Sequence, residues 1–196
     1  MRAEKWACIL AASLSLAACQ TAIPPVEVTR FHIGDQTGRG TIAVEPLSFD
    51  DDTSLEFRSY AAAVGRELQR IGFTEQSGTN TQYVASVNYR RAVRNPLRDG
   101  GSPVSVGVGG STGSYGSGLG LGIGINLSGK PKAIVITELN VQIKRRADAT
   151  VIWEGRAITE AKENAPAAQP GMAAAKLAGA LFKDFPGVSG RTITVK

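Results

Sequence analysis

From Val104 to Leu127 the chain alternates. Val104, Val106 and Val108 are separated by Ser105 and Gly107, and Leu119, Leu121, Ile123, Ile125 and Leu127 by Gly120, Gly122, Gly124 and Asn126. Successive strand residues face opposite sides, whereas a helix repeats every ~3.6 residues, so this spacing restricts the segment to extended strands. One strand face is apolar and the other is bare. Gly110 to Ser117, with Tyr115 the only aromatic nearby, reads as a flexible tip joining the two strands. The expected element is a glycine-rich β-hairpin within residues 100–130.

The same letters imitate two catalytic motifs. Gly124 to Lys130 spells G-x-x-x-x-G-K, but Pro131 stands where a phosphate loop needs the Ser or Thr that holds Mg²⁺. The apolar run that follows reads as a strand, so no helix N-terminus awaits a phosphate. Gly109 to Gly113 spells G-x-S-x-G, yet a hydrolase elbow requires an acid and then a histidine downstream of the serine. His32 is the only histidine and precedes Ser111. Glycine fills 12 of the 30 positions from Gly100 to Gly129, so both matches are expected by chance.

Around this segment the chain reads as strands and two helices. Val26 to Ile33 alternates roughly, with Val26, Val28 and Phe31 or Ile33 marking a first strand, and Thr41 to Leu47 forms a second. Thr53 to Ile71 forms a helix: Tyr60, Val64, Leu68 and Ile71 make an apolar stripe, Thr53 and Glu56 make a capping box, and Gly72 ends it. Tyr83 to Val93 is a strand with Tyr83, Ala85, Val87 and Tyr89 on one face. Ala133 to Arg146 and Thr150 to Ala161 make an antiparallel hairpin, with a bulge expected near Thr137-Glu138 where the apolar parity changes. Gly171 to Phe185 is a second helix, with Met172, the Lys176 stem, Leu181, Phe182 and Phe185 on one face, and Thr192 to Val195 closes the chain as a strand. The fold class that follows is α+β: a mixed, mostly antiparallel sheet with two helices on one face, plus the glycine-rich hairpin.

The first residues set a location. Trp6 to Leu16 is an apolar run of 11 residues behind Arg2 and Lys5, too short for the ~20 residues of a membrane-spanning helix and arranged as a signal peptide. Leu16-Ala17-Ala18-Cys19 resembles the lipobox of bacterial lipoproteins, with Cys19 as the lipid-attachment residue. The domains expected are a signal peptide at 1–18, a lipidated tether at 19–26 and a single periplasmic α+β domain at 27–196. Gln20, in place of an aspartate, resembles the pattern of lipoproteins passed to the outer membrane, so the expected location is the periplasmic face of that membrane. Cys8 leaves with the signal peptide and Cys19 carries lipid, so no thiol is left for a disulfide, a metal or nucleophilic catalysis.

Charge and acid placement point away from enzymatic chemistry. The formal net charge is +5. Its clusters, Arg90-Arg91-Arg94-Arg98 and Lys144-Arg145-Arg146, read as solvated strand ends in an exported protein, so no nucleic-acid partner is expected. Asp50-Asp51-Asp52 lacks the spaced ligands and glycine of a calcium loop and reads as helix-start acidity. Glu138, Glu154, Glu160 and Glu163 are the acids available to a cell-wall hydrolase, and spacing selects no pair among them. No catalytic, metal or cofactor-binding residue is assigned.

The lipobox, Thr41–Leu47 (TIAVEPL), Glu67–Phe73 (ELQRIGF), Tyr83–Tyr89 (YVASVNY), the glycine-rich insertion, Val151–Gly155 (VIWEG) and Leu181–Gly187 (LFKDFPG) together resemble domain of unknown function family 4136. The resemblance spans nearly all of the chain after Cys19. It implies a bacterial envelope lipoprotein and transfers no catalytic residues. The function expected is a non-enzymatic interaction or scaffold module, anchored through an N-terminal lipid and binding an envelope protein or the cell wall. The alternative is an oligomer-forming lipoprotein whose hairpin enters the membrane; a cell-wall hydrolase is the lesser alternative. In the first two readings the working residues are Val104, Val106, Val108, Tyr115, Leu119, Leu121, Ile123, Ile125 and Leu127.

Overall fold

Alternating burial along the central strands explains the architecture. In the computed structural model, which describes residues 23–34, 39–48, 54–95, 104–111, 118–125 and 132–196, β7 (Ile134–Arg145) buries every second residue: Val135, Thr137, Leu139, Val141 and Ile143. These pair across to β8 (Val151–Lys162): Leu139 and Val141 face the small Ala157 and Gly155, and Ile143 faces Trp153. The other side of β7 is paired antiparallel with β4 (Tyr83–Arg94). Outward from this centre come β2 (Thr41–Pro46) and the two-residue β3 (Thr74–Glu75) on one side, and β1 (Val26–His32) and β9 (Thr192–Val195) on the other. The seven-stranded sheet has the order β3-β2-β4-β7-β8-β1-β9; β2 is parallel to β3 and β4, and the other pairs are antiparallel.

Both helices cover the same face of this sheet, side by side. Helix α1 (Leu55–Arg70) packs on β2, β3 and β4, and α2 (Pro170–Phe182) on β1, β7 and β8, while the two helices touch each other. Tyr60, Val64 and Leu68 of α1 are fully buried, Val64 and Leu68 each stabilising the fold by roughly 1.5–3 kcal/mol. The end of α1 is a Schellman motif: Phe73 N–H donates to Leu68 O and Gly72 N–H to Gln69 O, both at 3.0 Å. Gly72 has φ +102°, a conformation that favours glycine. The opposite face of the sheet carries ion pairs such as Arg94–Glu160 and Arg156–Glu138.

Four details differ from the sequence reading. The α1 cap is Ser54, whose hydroxyl accepts from Phe57 N–H at 3.3 Å; Glu56 therefore sits one position too early for a capping box, and Thr53 lies outside the described residues. No bulge occurs near Thr137-Glu138, because Thr137 occupies an inward position and Ile134 and Ile136 lie half-buried on the other face; the β7–β8 irregularity falls between Ile143 and Lys144. Met172 is 54% exposed, and the inward face of α2 is built from Ala173, Ala174, Leu177, Ala178, Ala180, Leu181 and Phe182. In β1 the inward residue after Val26 and Val28 is Arg30, at 3% exposure, while Phe31 and Ile33 are exposed.

Candidate functional site

Arg30 enters the core because two carbonyls wait for it. Helix α2 ends at Phe182, leaving last-turn carbonyls without intrahelical donors. The Arg30 guanidinium donates from Nε to Leu181 O at 2.9 Å and from Nη2 to Ala180 O at 2.8 Å. Positive charge at a helix C-terminus also opposes the helix dipole. Burial pushes the Arg30 pKa below the ordinary arginine value, and Asp184 works against that shift.

The segment after α2 folds over the same spot. Trp153 Nε1 donates to Pro186 O at 3.0 Å, and its ring stacks on Phe182 at 5.2 Å between centroids. Phe185 packs against Trp153, Phe182 and Phe73. Gly187, at φ +82°, lies against Arg30, where a Cβ would come within 2.7 Å of Arg30 Cδ. His32 bridges this segment to the end of β1: Nδ1 lies 2.7 Å from Gly34 O and Nε2 3.2 Å from Gly187 O. The VIWEG and LFKDFPG stretches are thus two halves of one structural clasp, with Arg30 and His32 between them.

Beside the clasp is a cleft of about 300 Å³ lined by Arg39, Arg70, Ile71, Phe73, Phe182, Asp184 and Phe185. Arg70 is engaged there, donating to Glu67 at 2.6 Å and to Phe182 O at 3.3 Å. A shallower groove of about 540 Å³ is lined by Thr81, Gln82, Tyr83, Arg145, Arg146 and Ala147. Its arginines are paired as well: Arg146 with Glu45 and Arg145 with Asp148, both at 2.6 Å.

Glu138, Glu154 and Glu160 are spread over the open sheet face. Glu138 accepts from Asn140 at 2.8 Å and pairs with Arg156. Burial raises its pKa, but the Asn140 and Arg156 hydrogen bonds and the Arg156 and Arg90 charges outweigh this and hold it below the ordinary glutamate value. A general acid for glycoside cleavage needs the opposite shift. Glu160 pairs with Arg94, Glu154 accepts from Gln142, and Glu163 is exposed in the turn after β8. Two buried groups have no hydrogen-bond partner among the described residues, the Tyr60 hydroxyl and Lys176 Nζ. Burial raises the Tyr60 pKa, helped by Glu56, and lowers that of Lys176. No group of three or more His, Cys, Asp or Glu side chains suited to a metal occurs among the described residues.

The glycine-rich segment has a backbone register of its own. β5 (Val104–Ser111) and β6 (Gly118–Ile125) pair antiparallel as a separate two-stranded sheet. Val104 is opposite Ile125, Val106 opposite Ile123, Val108 opposite Leu121, and Gly110 opposite Leu119. The alternate pairs are Ser105–Gly124, Gly107–Gly122, Gly109–Gly120 and Ser111–Gly118. Ser111 of the hydrolase-like motif therefore belongs to a strand end and not to a strand-to-helix elbow. Cys19, Tyr115 and Leu127 lie outside the described residues. The two strands are inserted between β4 and β7, whose last and first residues, Arg94 and Ile134, are direct cross-strand neighbours. No described helix is long and apolar enough to cross a membrane.

Sequence reasoning missed Arg30, although its place two residues after Val28 carries the signal. Arg39, Arg70 and Asp184 had no such signal, since loop and helix-end geometry alone brings them to the cleft.

The family model described as a domain of unknown function, DUF4136, matches residues 39–187. An uncharacterized protein of Zymomonas mobilis subsp. mobilis is 34% identical over an alignment covering 97% of this chain and 86% of that protein. Among solved structures, a PDZ domain protein from Parabacteroides distasonis superposes with a TM-score of 0.52 at 13% identity, over 94% of this chain. The chain spans 42% of that structure, and the likeness is one of fold alone. A PelC dodecamer from Paraburkholderia phytofirmans gives a TM-score of 0.41 at 12% identity, covering 79% of this chain and 93% of that one.

Proposed function

The chain belongs to the DUF4136 family, and from that premise we propose that it is a lipid-anchored, non-enzymatic interaction module of the bacterial envelope. The observation that carries this reading is how the chemistry-bearing side chains are employed. The His32 ring lies between two backbone carbonyls, Glu138 and Glu160 are ion-paired, and Arg30 caps a helix. What stands apart from the seven-stranded sheet is an uncharged, glycine-rich pair of strands, suited to contact and not to catalysis.

The anchoring half of the proposal rests on Leu16-Ala17-Ala18-Cys19 behind a short apolar run. A diacylglyceryl group on Cys19 with a further palmitate-type chain supplies the two or more chains that stable attachment takes, at about 0.8 kcal/mol per buried CH₂. Gln20 favours the outer membrane over the inner one in this reading. Cys19→Ala is expected to abolish labelled palmitate incorporation and move the protein from the membrane pellet to the soluble periplasmic fraction. A variant that still pellets with membranes would overturn the anchoring.

A further inference from the structure

We propose that the outer edges of β5 and β6 pair with the same strands of a second copy of this chain, extending the two-stranded sheet to four strands or more. This deepens the interaction reading above by naming the partner, and it starts from backbone valence. A two-stranded hairpin is at best marginally stable alone, and each of its outer edges carries a row of N–H and C=O groups. Among the described residues, nothing in the sheet order pairs with those edges: β5 and β6 form a sheet by themselves.

The chain treats its other edges differently. The seven-stranded sheet ends in β3, which has two residues including Glu75, and in β9, which has four residues between Arg191 and Lys196. Short edge strands with charged residues are the usual protection against edge-to-edge pairing. β5 and β6 have eight residues each, and from Val104 to Ile125 there is no Asp, Glu, Lys, Arg or Pro. Protection is thus present on the main sheet and absent from the inserted one. Absence of charge also argues against a partner recognised electrostatically. The best match for a long, uncharged strand of alternating glycine and β-branched or leucine residues is another strand of the same kind. The insertion leaves from the Arg94–Ile134 end of the β4–β7 pair, so the seven-stranded sheet need not change when copies join.

The test uses the chain from residue 19 onward carrying Cys19→Ala, sedimented over a concentration series. Concentration-dependent oligomers are expected. Val106→Lys and Ile123→Lys, introduced singly, add the charge that protected edges carry and are expected to weaken assembly on the order of tenfold each. Their urea unfolding midpoints, read in parallel, should match the parent and so separate lost assembly from lost folding. A monomer at every concentration overturns the proposal, as do oligomers indifferent to both lysines. Flotation of the monomer with liposomes through an intact hairpin also overturns it, by making lipid the occupant. None of these outcomes touches the Cys19 fractionation, so the anchoring and the self-pairing fail separately.

Discussion

Replacing Arg30 with methionine is expected to lower the unfolding free energy by roughly 3 kcal/mol, because buried acceptors left without a donor cost about 1–3 kcal/mol each. Two such acceptors are involved, Ala180 O and Leu181 O, and both belong to the last turn of α2. Methionine fills much of the space of the arginine stem but donates nothing. With a urea dependence of about 2 kcal/mol per molar, the unfolding midpoint should fall by roughly 1.5 M. Arg30→Lys should recover only part of the loss, since a point charge cannot reproduce the two-pronged donation of the guanidinium. A midpoint unchanged in Arg30→Met would mean that the clasp around α2 is ornamental to stability.

Gly155→Val is the second large effect. Gly155 lies on the core side of β8, opposite both Arg30 of β1 and Val141 of β7. A Cβ there would fall on the edge of the Trp153 ring and within 2.8 Å of Leu181 Cδ1. Neither neighbour has room to yield, since Trp153 is stacked on Phe182 and Leu181 is fully buried. Overpacking of this kind costs about 1–3 kcal/mol, and valine, with its two further methyl groups, should reach the upper end of that range or exceed it. Trp153 is the only tryptophan after residue 18, so its fluorescence in a chain starting at residue 19 reports the same event. Emission should shift to longer wavelength as the ring leaves its place against Phe182. Parent-like emission and stability would contradict the packing described.

These two residues show where sequence was sufficient and where it was not. Helix α1 was legible to its last turn, because its apolar spacing, Gly72 and Phe73 all act locally. The strands were legible from alternation, as were the mixed sheet and the shared helix face. Thr137 misled the reading of β7, since a buried hydroxyl looks polar in a pattern although its branched side chain suits an inward strand position. Arg30 misled the reading of β1 for a related reason: its partners are carbonyls about 150 residues away, so nothing near it in the chain reveals that it is satisfied. In α2 only Met172 misled, since it is exposed, whereas Leu181, Phe182 and Phe185 pack inward as their apolar character suggests. The two residues of β3 give no period to detect. In the candidate site, period two marked β5 and β6 as strands but carried no pairing register, while the cleft beside the clasp depends on how two helix ends meet.

In the proposed function the molecule is a self-sufficient frame carrying a separable contact element. Deleting residues 103–128 separates the two, because β4 and β7, which flank that stretch in sequence, are already paired at Arg94 and Ile134. The shortened chain is expected to keep the urea unfolding midpoint and the Trp153 emission of the parent while sedimenting as a monomer. A frame that unfolds without those residues, or one that assembles just as before, would contradict it.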